Sequence, residues 1–321
     1  MRRVRTLVAL AAGVVLLVPG QASAAPTVTI TGVTVDGSTG SVTGTAAFEA
    51  ITAAQSVVGE ESTNTAGAAG GSAAGDAAGL DLQDASIEPL PNGSGLRFTW
   101  IVSQMPDEVP PEGVRYNWSF NIGTTLYQLE AKRTNLASVS TLEDPIGHAQ
   151  HFASNQNAFR LRGACVANYM GSPANGCYHL AYLPGSFDIA GKKISIDMPF
   201  ETRDSIGRLV APDFKPGAIL VDNGGTNTAG MVVAASFQAA VSNTISSQYI
   251  NGISPYYIGP QIALGVANAG TAPQAVTYSS PGTLNGGTFN GTVTGLTTAK
   301  NTVYARACNG IECSYTSFKA L

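Results

Sequence analysis

The sequence predicts an all-β protein built of antiparallel sheets packed as sandwiches. Charged residues make up only 12% of the chain, whereas 37 of the 321 residues are glycine. This composition is typical of β proteins with many short turns. Several segments alternate apolar and polar residues with a period of two, and none carries a long, capped stripe with the helical period of 3.6. Short strands separated by clusters of Gly, Pro, Asn and Asp favour a sandwich.

The first 24 residues have the three parts of a secretory signal peptide. Three arginines precede the apolar run 7–18, and a small-x-small cleavage signature ends at Ala24. The apolar run is shorter than the ~20 residues that a membrane-spanning helix needs. We therefore expect cleavage after Ala24 and a secreted, extracellular protein without a membrane anchor.

The charge of the chain limits its partners. The formal net charge is −4, and removal of the signal peptide with its arginines makes the mature chain more acidic. The mature sequence contains no cluster of basic residues. We therefore expect no binding to nucleic acid or to anionic membranes.

The mature chain is predicted to begin with a β-hairpin and a flexible loop. Segments 27–35 and 41–50 are rich in Val and Thr and flank a turn at Asp36-Gly37. Residues 62–79 consist almost wholly of Ala, Gly, Ser and Thr. Such a run cannot bury enough apolar surface to offset its ordering entropy, which predicts a flexible loop.

The clearest alternation lies in segments 96–103, 114–122 and 127–132. Aromatic and aliphatic residues occupy one set of alternate positions, and Arg, Asn, Gln, Glu and Lys occupy much of the other. With a turn at Gly123, the second and third segments form a hairpin with an apolar inner face and a polar outer face. Both Trp100 and Trp118 fall on the apolar side, which places them in the core.

The remaining strands are predicted from shorter patterns. Those before the boundary that we place at residue 255 are 158–162, 177–183, 192–198 and 231–241, with a turn at 222–225. Those after it are 288–296, 301–308 and 313–321. This second segment is small enough that we expect it to need covalent support.

Four cysteines form two local pairs. In an oxidising compartment an even number of cysteines predicts disulfides, here Cys165 with Cys177 and Cys308 with Cys313. Long-range pairing is the alternative that the spacing leaves open. The second pair would close the loop of a terminal hairpin.

Residues 27 to 250 resemble the secreted DOMON-like domains of bacteria. The likeness is carried by GLDLQDASI (79–87), FTW (98–100), GVRYNWSF (113–120) and QLEAKR (128–133). The resemblance implies a jelly-roll-like antiparallel β-sandwich over residues 25–255. Members of this family are associated with sugar binding or haem binding.

The C-terminal segment 256–321 resembles the closing strands of a fibronectin type III domain. The likeness is carried by Gly295-Leu296, by Tyr304 followed by Arg306-Ala307-Cys308, and by Cys313-Ser314. The Tyr-x-Arg-Ala spacing is one residue shorter than the Tyr-x-x-Arg-Ala of that family. The resemblance implies a small immunoglobulin-like β-sandwich after the first domain.

The polar face of the predicted hairpin is the candidate ligand-binding surface. Amide and guanidinium groups on a rigid sheet suit sugar hydroxyls or carboxylates. The other interpretation is an ordinary solvated outer face, which antiparallel sheets commonly have. The candidate residues are Arg115, Asn117, Gln128, Lys132, Arg160 and Arg162.

No catalytic residue is predicted. The chain has no Gly-x-Ser-x-Gly elbow. Glu130, predicted to face outward beside Lys132, is a single acid, whereas glycoside hydrolysis needs a pair of carboxylates. The sequence therefore favours a protein that is not an enzyme.

Cofactor sites are predicted only weakly, and the expectation is none. Calcium would find oxygen ligands at Asp76, Asp81 and Asp84, which are also ordinary turn formers. His148 and His151 would share a metal on a helical turn, and a polar surface loop is the favoured alternative. Haem would need an axial pair from the three histidines and the methionines. These are His148, His151, His179, Met105, Met170 and Met198.

The leading functional hypothesis is a secreted, non-catalytic protein that binds an extracellular polysaccharide or a cell-surface protein. The first alternative is an accessory part or a member of an extracellular glycan-degrading system, because both resembled modules accompany glycosidases. The second alternative is electron transfer through bound haem. Neither the identity of the ligand nor the oligomeric state follows from the sequence.

Overall fold

The computed structural model describes residues 28–49, 55–56, 82–105, 107, 114–133, 157–166, 176–231, 255–268, 276, 278–296 and 301–320. Within these ranges the chain is all-β, as predicted, and every strand pairing is antiparallel. The only helical element described is a short 3-10 turn at Pro91–Gly93. None of the described helical structure has the length and apolarity to cross a membrane.

The strands, in chain order, are β1 Val28–Val35, β2 Ser41–Phe48, β3 Gln55–Ser56, β4 Leu82–Pro89, β5 Gly95–Val102, β6 Val114–Ile122, β7 Thr125–Arg133, β8 Ala158–Val166, β9 Gly176–Tyr182, β10 Gly185–Asp188, β11 Lys193–Pro199, β12 Ile219–Met231, β13 Tyr256–Asn268, β14 Tyr278–Asn285, β15 Thr288–Thr292, β16 Asn301–Gly310 and β17 Glu312–Ala320. They form two sheets. The large sheet has the order β1-β2-β15-β14-β13-β12-β6-β7-β8-β9, with β16 paired to β13 and β17 to β16. The small sheet has the order β10-β11-β5-β4-β3.

The β6–β7 hairpin forms as its alternation predicts. The two strands pair in continuous register from Val114 opposite Arg133 to Ile122 opposite Thr125. Gly123 turns the chain with a φ of +58°, a left-handed conformation that glycine adopts without steric cost. Because side chains alternate along a strand, this register puts all the aromatic residues of β6 on one side of the sheet.

The first core lies between the small sheet and the apolar face of β6–β8. The Trp118 ring meets Phe98 edge-on at 5.1 Å and Trp100 at 5.6 Å, while Phe98 stacks on Phe120 at 5.6 Å. Both tryptophans are buried, as predicted. Aromatic pairs of this geometry add about 0.5–1.5 kcal/mol each to the stabilisation from burial alone. This packing fixes which face of β6–β8 points away from the core.

A second core joins the two ends of the chain. The hairpin β1–β2, predicted from the Val- and Thr-rich segments, pairs through β2 with β15. Its buried Val42 and Ala46 belong to one apolar cluster with Ile262, Leu264 and Phe289. The sequence grouped this hairpin with residues 25–255, whereas its buried side chains pack against strands of segment 256–321. The ladder between β12 and β13, which links the two parts of the large sheet, has two residue pairs.

The terminal hairpin β16–β17 connects the two cores. The predicted Cys308–Cys313 disulfide is confirmed and lies between paired residues just before the turn. At the tip, Ile311 packs against the first core, and its backbone N–H donates a 3.2 Å hydrogen bond to the Gln55 carboxamide oxygen. A side chain at Gly310 would collide with that same carboxamide. The turn favours glycine at this position because Gly310 has a φ of +67°, a left-handed conformation.

One predicted turn is wrong. Residues 222–225, an Asp-Asn-Gly-Gly sequence, lie within β12. Asp222 of β12 pairs with Phe120 of β6, and the next pair is Asn227 with Trp118. The register therefore advances by two residues in β6 and by five in β12. The turn-forming residues thus create a bulge inside a strand, a role that Gly also favours.

Several predictions lie outside the described residues. These are the signal peptide 1–24, the loop 62–79, the part of the predicted strand 231–241 beyond Met231, and the side chains of Cys165 and Cys177.

Candidate functional site on the polar face of strands β6 to β8

The polar positions of β6, β7 and β8 form one continuous surface on the side of the large sheet away from the first core, here called the polar face. Strand register arranges its residues in rows across the three strands. The first row is Arg115 and Lys132, the second is Asn117, Glu130 and Arg160, and the third is Ser119, Gln128 and Arg162. All six candidate residues from the sequence therefore share this face.

Glu130 stands at the centre of the polar face and joins its arginines. Its Oε1 accepts a 3.0 Å hydrogen bond from Arg160 Nη1. Its Oε2 lies 3.6 Å from both Arg115 Nε and Arg162 Nη2. One carboxylate from β7 thus holds guanidinium groups from β6 and β8 in fixed positions.

The interior of this cluster is not solvated, which corrects the prediction that Glu130 faces outward into solvent. The Glu130 side chain is 1% exposed, and Lys132 and Arg160 are similarly buried. Alternation assigned Glu130 to the right face of the sheet. It could not show that the carboxylate would be buried among arginines of the neighbouring strands.

The pKa values of the cluster reflect both burial and charge. Burial by itself would raise the pKa of Glu130, but the surrounding cations together bring it far below its ordinary value. Burial first, and then the charges of Arg115 and Arg160, lower the pKa of Lys132 to about 8, although Glu130 acts in the opposite direction. The field at Lys132 is therefore positive.

Other residues of the polar face, in all three rows, are more exposed. The Arg115 and Arg162 side chains are 19% and 11% exposed. Asn117, Ser119 and Gln128 are partly exposed, and Gln128 Nε2 donates a 3.3 Å hydrogen bond to Ser119 Oγ. The β12 bulge lies beside Ser119. The partly exposed donors therefore come from three strands.

Two aromatic residues of β9 extend the face; the sequence analysis considered His179 only as a candidate haem ligand and did not select Tyr182. The Arg160 guanidinium lies 5.8 Å from the centroid of the Tyr182 ring, and the His179 and Tyr182 rings are 4.7 Å apart. The register places Tyr182 opposite Arg160 and His179 opposite Arg162. The irregular register between β8 and β9 hid this proximity, because simple alternation does not predict a bulge.

The candidate metal and haem ligands are divided between the described and the undescribed parts of the chain. Asp84 lies in β4 and accepts a hydrogen bond from the Ala85 backbone N–H, while Asp76, Asp81, His148, His151 and Met170 lie outside the described part. Met105 and Met198 are buried in the first core. In the described part of the chain, no three His, Cys, Asp or Glu residues are grouped as metal ligands would be.

Chemically, the polar face offers hydrogen-bond donors more than acid–base groups. Guanidinium and amide groups recognise carboxylates and hydroxyls, and they do not transfer protons near neutral pH. Among the described residues of β6–β8, Glu130 is the one carboxylate on this face. Comparisons of the chain with protein-family models, with curated proteins and with solved structures found no match.

Proposed function

We propose that this chain is a secreted, non-catalytic binding protein whose polar face contacts an extracellular carbohydrate or a cell-surface partner. The observation that carries the proposal is the set of ion pairs at 3.0–3.6 Å by which Glu130 of β7 fixes three guanidinium groups from the two flanking strands, β6 and β8. Secretion rests on the N-terminal sequence pattern that ends at Ala24.

The fixed geometry supports binding because an ordered donor loses little conformational entropy when a ligand arrives. A free arginine side chain costs about 0.5–1.5 kcal/mol to immobilise at an interface. Here the ion pairs with Glu130 have already ordered Arg115 and Arg162. Gln128 is likewise oriented by its contact with Ser119. A site that is ordered before binding is the arrangement that ligand recognition requires.

The partly exposed aromatic ring of Tyr182 adds a surface of a different kind. Tyrosine presents an apolar ring with a polar tip, which suits the mixed apolar and hydroxylated surface of a sugar. Together with the Arg and amide donors, it favours a saccharide over a purely apolar ligand.

Retention on insoluble glycans tests this proposal. The wild-type protein, Arg115→Ala and Gln128→Ala would be compared on cellulose, chitin and xylan, with thermal unfolding used to confirm that each variant is folded. Arg208→Ala is the matched control, since this arginine is exposed on a loop away from the polar face. We expect the first two variants to lose retention and the control to keep it. Unchanged retention in folded Arg115→Ala and Gln128→Ala would refute the assignment of the polar face.

A further inference from the structure

Strand β13 passes through both cores and changes conformation between them. Its Tyr256 and Ile258 belong to the first core, whereas Ile262 and Leu264 belong to the second. Between these two pairs, Gly259 has a φ of +71°, and the proline that follows it has no N–H to donate to a neighbouring strand. The strand therefore carries an irregular Gly-Pro step at the junction of the two cores.

The pairing of β13 with β16 is irregular at the same step. Tyr257 pairs with Gly310, and the next pair is Gln261 with Cys308. The register therefore advances by four residues in β13 and by two in β16. A bulge of this kind leaves residues unpaired and bends the strand that carries it. Residues 258–260 of β13 thus have the construction of a hinge between the cores, and they are called the hinge below.

The tip of the β16–β17 hairpin makes a second connection across this junction. Its Ile311 packs against the first core and donates its backbone N–H to Gln55 Oε1 of the small sheet at 3.2 Å. Asn309 Nδ2 donates a 3.3 Å hydrogen bond to the Glu49 carbonyl oxygen. Gln55 and Asn309 are both buried. Further along β16, Val303 is buried in the second core, so one strand is fastened to both cores.

The disulfide of the hairpin lies where the tip meets the hinge. Cys308 is opposite Cys313 in the β16–β17 ladder and opposite Gln261, the residue that follows the hinge in β13. Beyond the disulfide, one residue pair, Asn309 with Glu312, completes the hairpin. Because the end of a hairpin opens at low free-energy cost, the disulfide is the constraint that holds the tip in its docked position.

We propose that residues 309–311 are a redox-sensitive latch, which keeps the hinge of β13 closed while the Cys308–Cys313 disulfide is intact and releases it when a dithiol reduces that bond. This device is independent of what the polar face binds. Cys313 is partly exposed whereas Cys308 is buried, so the reagent attacks the Cys313 sulfur. Cys308 then leaves as a thiolate, and the second thiol of the reagent displaces Cys313 from the mixed disulfide. Two electrons and two protons pass to the cysteines, and the reagent becomes a cyclic disulfide.

Hydrogen exchange measured by mass spectrometry tests the latch. Dithiothreitol is applied to the Cys165→Ala/Cys177→Ala variant, in which Cys308 and Cys313 are the only cysteines, and the oxidised form of the same variant is the reference. We expect reduction to speed exchange about tenfold or more in peptides covering 309–313 and 257–261, because the hydrogen bonds of the latch and the hinge open. Peptides from the centres of β5 and β6 should keep their protection.

Gln55→Ala tests the same latch with all four cysteines in place. It removes the acceptor of the Ile311 N–H, so exchange in 309–313 should rise in the oxidised chain as well. Unchanged exchange there, after reduction or in Gln55→Ala, would overturn the proposal, because the tip would be held by something other than the disulfide and Gln55. An equal rise in β5 and β6 on reduction would also overturn it, since the disulfide would then support the whole fold rather than a local latch.

Discussion

The outer faces of the two sheets carry ion clusters that mirror each other in charge. On the small sheet, one cation, Arg97 of β5, lies between two acids in the cross-strand register, Glu88 of β4 and Asp197 of β11. On the large sheet, one acid, Glu130 of β7, is surrounded by arginines from the neighbouring strands. In both clusters the central residue belongs to the middle strand of three.

The two clusters differ more in their burial than in their geometry. Arg97 makes a two-pronged contact with Asp197, at 2.6 and 2.8 Å, that is closer than the 3.0 Å contact between Arg160 and Glu130. The Arg97 side chain nevertheless remains 37% exposed. Water and salt screen charges at such a site, whereas they cannot screen a side chain enclosed as Glu130 is. We therefore expect the buried cluster to matter more for stability, despite its longer distances.

The largest effect is expected from removing the central charge of the buried cluster. Glu130→Gln keeps the shape of the side chain but leaves buried cations without their carboxylate. Breaking a buried ion pair in this way costs about 3–5 kcal/mol of unfolding free energy. Urea unfolding of the wild type and the variant would measure the loss. A change below about 1 kcal/mol would contradict the comparison, because Glu130 would then behave like a surface residue.

A second, smaller effect should appear in the pH dependence of stability through Lys132. Its pKa in the folded chain is about 8, against 10.5 for the ordinary group. Between pH 8 and pH 10.5, Lys132 binds more protons in the unfolded chain than in the folded chain, so the unfolding free energy rises with pH. From pH 8 to pH 10 the gain should be about 2 kcal/mol.

Lys132→Met isolates this effect from all other titrating groups. The variant should be at least as stable as the wild type at pH 7, and the difference between the two should shrink towards pH 10. Measurements are best stopped there, because burial raises the pKa of Tyr116 to about 12 and that of Tyr256 as well, and both changes lower stability above pH 10. A difference between variant and wild type that is constant from pH 7 to pH 10 would show that Lys132 does not titrate as the polar face requires.

The contrast between the clusters also shows how far the sequence could predict the site. Period-two alternation assigned Arg115, Glu130 and Lys132 to the correct face, because a hairpin with a glycine turn has its register fixed by the turn. The contacts of Glu130 with Arg160 and Arg162 depend on β8, whose partner strand cannot be predicted from local periodicity. The N-terminal hairpin is a second example. Alternation identified its two strands, but it could not predict that β2 pairs with β15.

The Arg97 cluster was not singled out from the sequence for a related reason. Arg97 and Asp197 are 100 residues apart, and they meet because β11 pairs with β5. Neither residue belongs to a motif, and either would be an ordinary polar position in an isolated strand. Alternation thus predicts which side of a sheet a residue occupies, whereas strand order decides which charges become neighbours.

The smallest change in unfolding free energy is expected from the exposed Arg97 cluster, and measuring this change makes the comparison of the two clusters quantitative. Arg97→Ala should lower the unfolding free energy by about 1 kcal/mol or less, since exposed ion pairs are seldom worth more. The loss should shrink in 1 M salt, where the Debye length falls to ~3 Å, while the loss in Glu130→Gln should change little. Arg97→Ala, Asp197→Ala and the double variant, each unfolded in urea at low and high salt, give the coupling energy of the pair directly. A salt-independent coupling above about 2 kcal/mol would mean that close two-pronged geometry outweighs solvent exposure, and the Arg97 cluster would then rank beside Glu130 rather than below it.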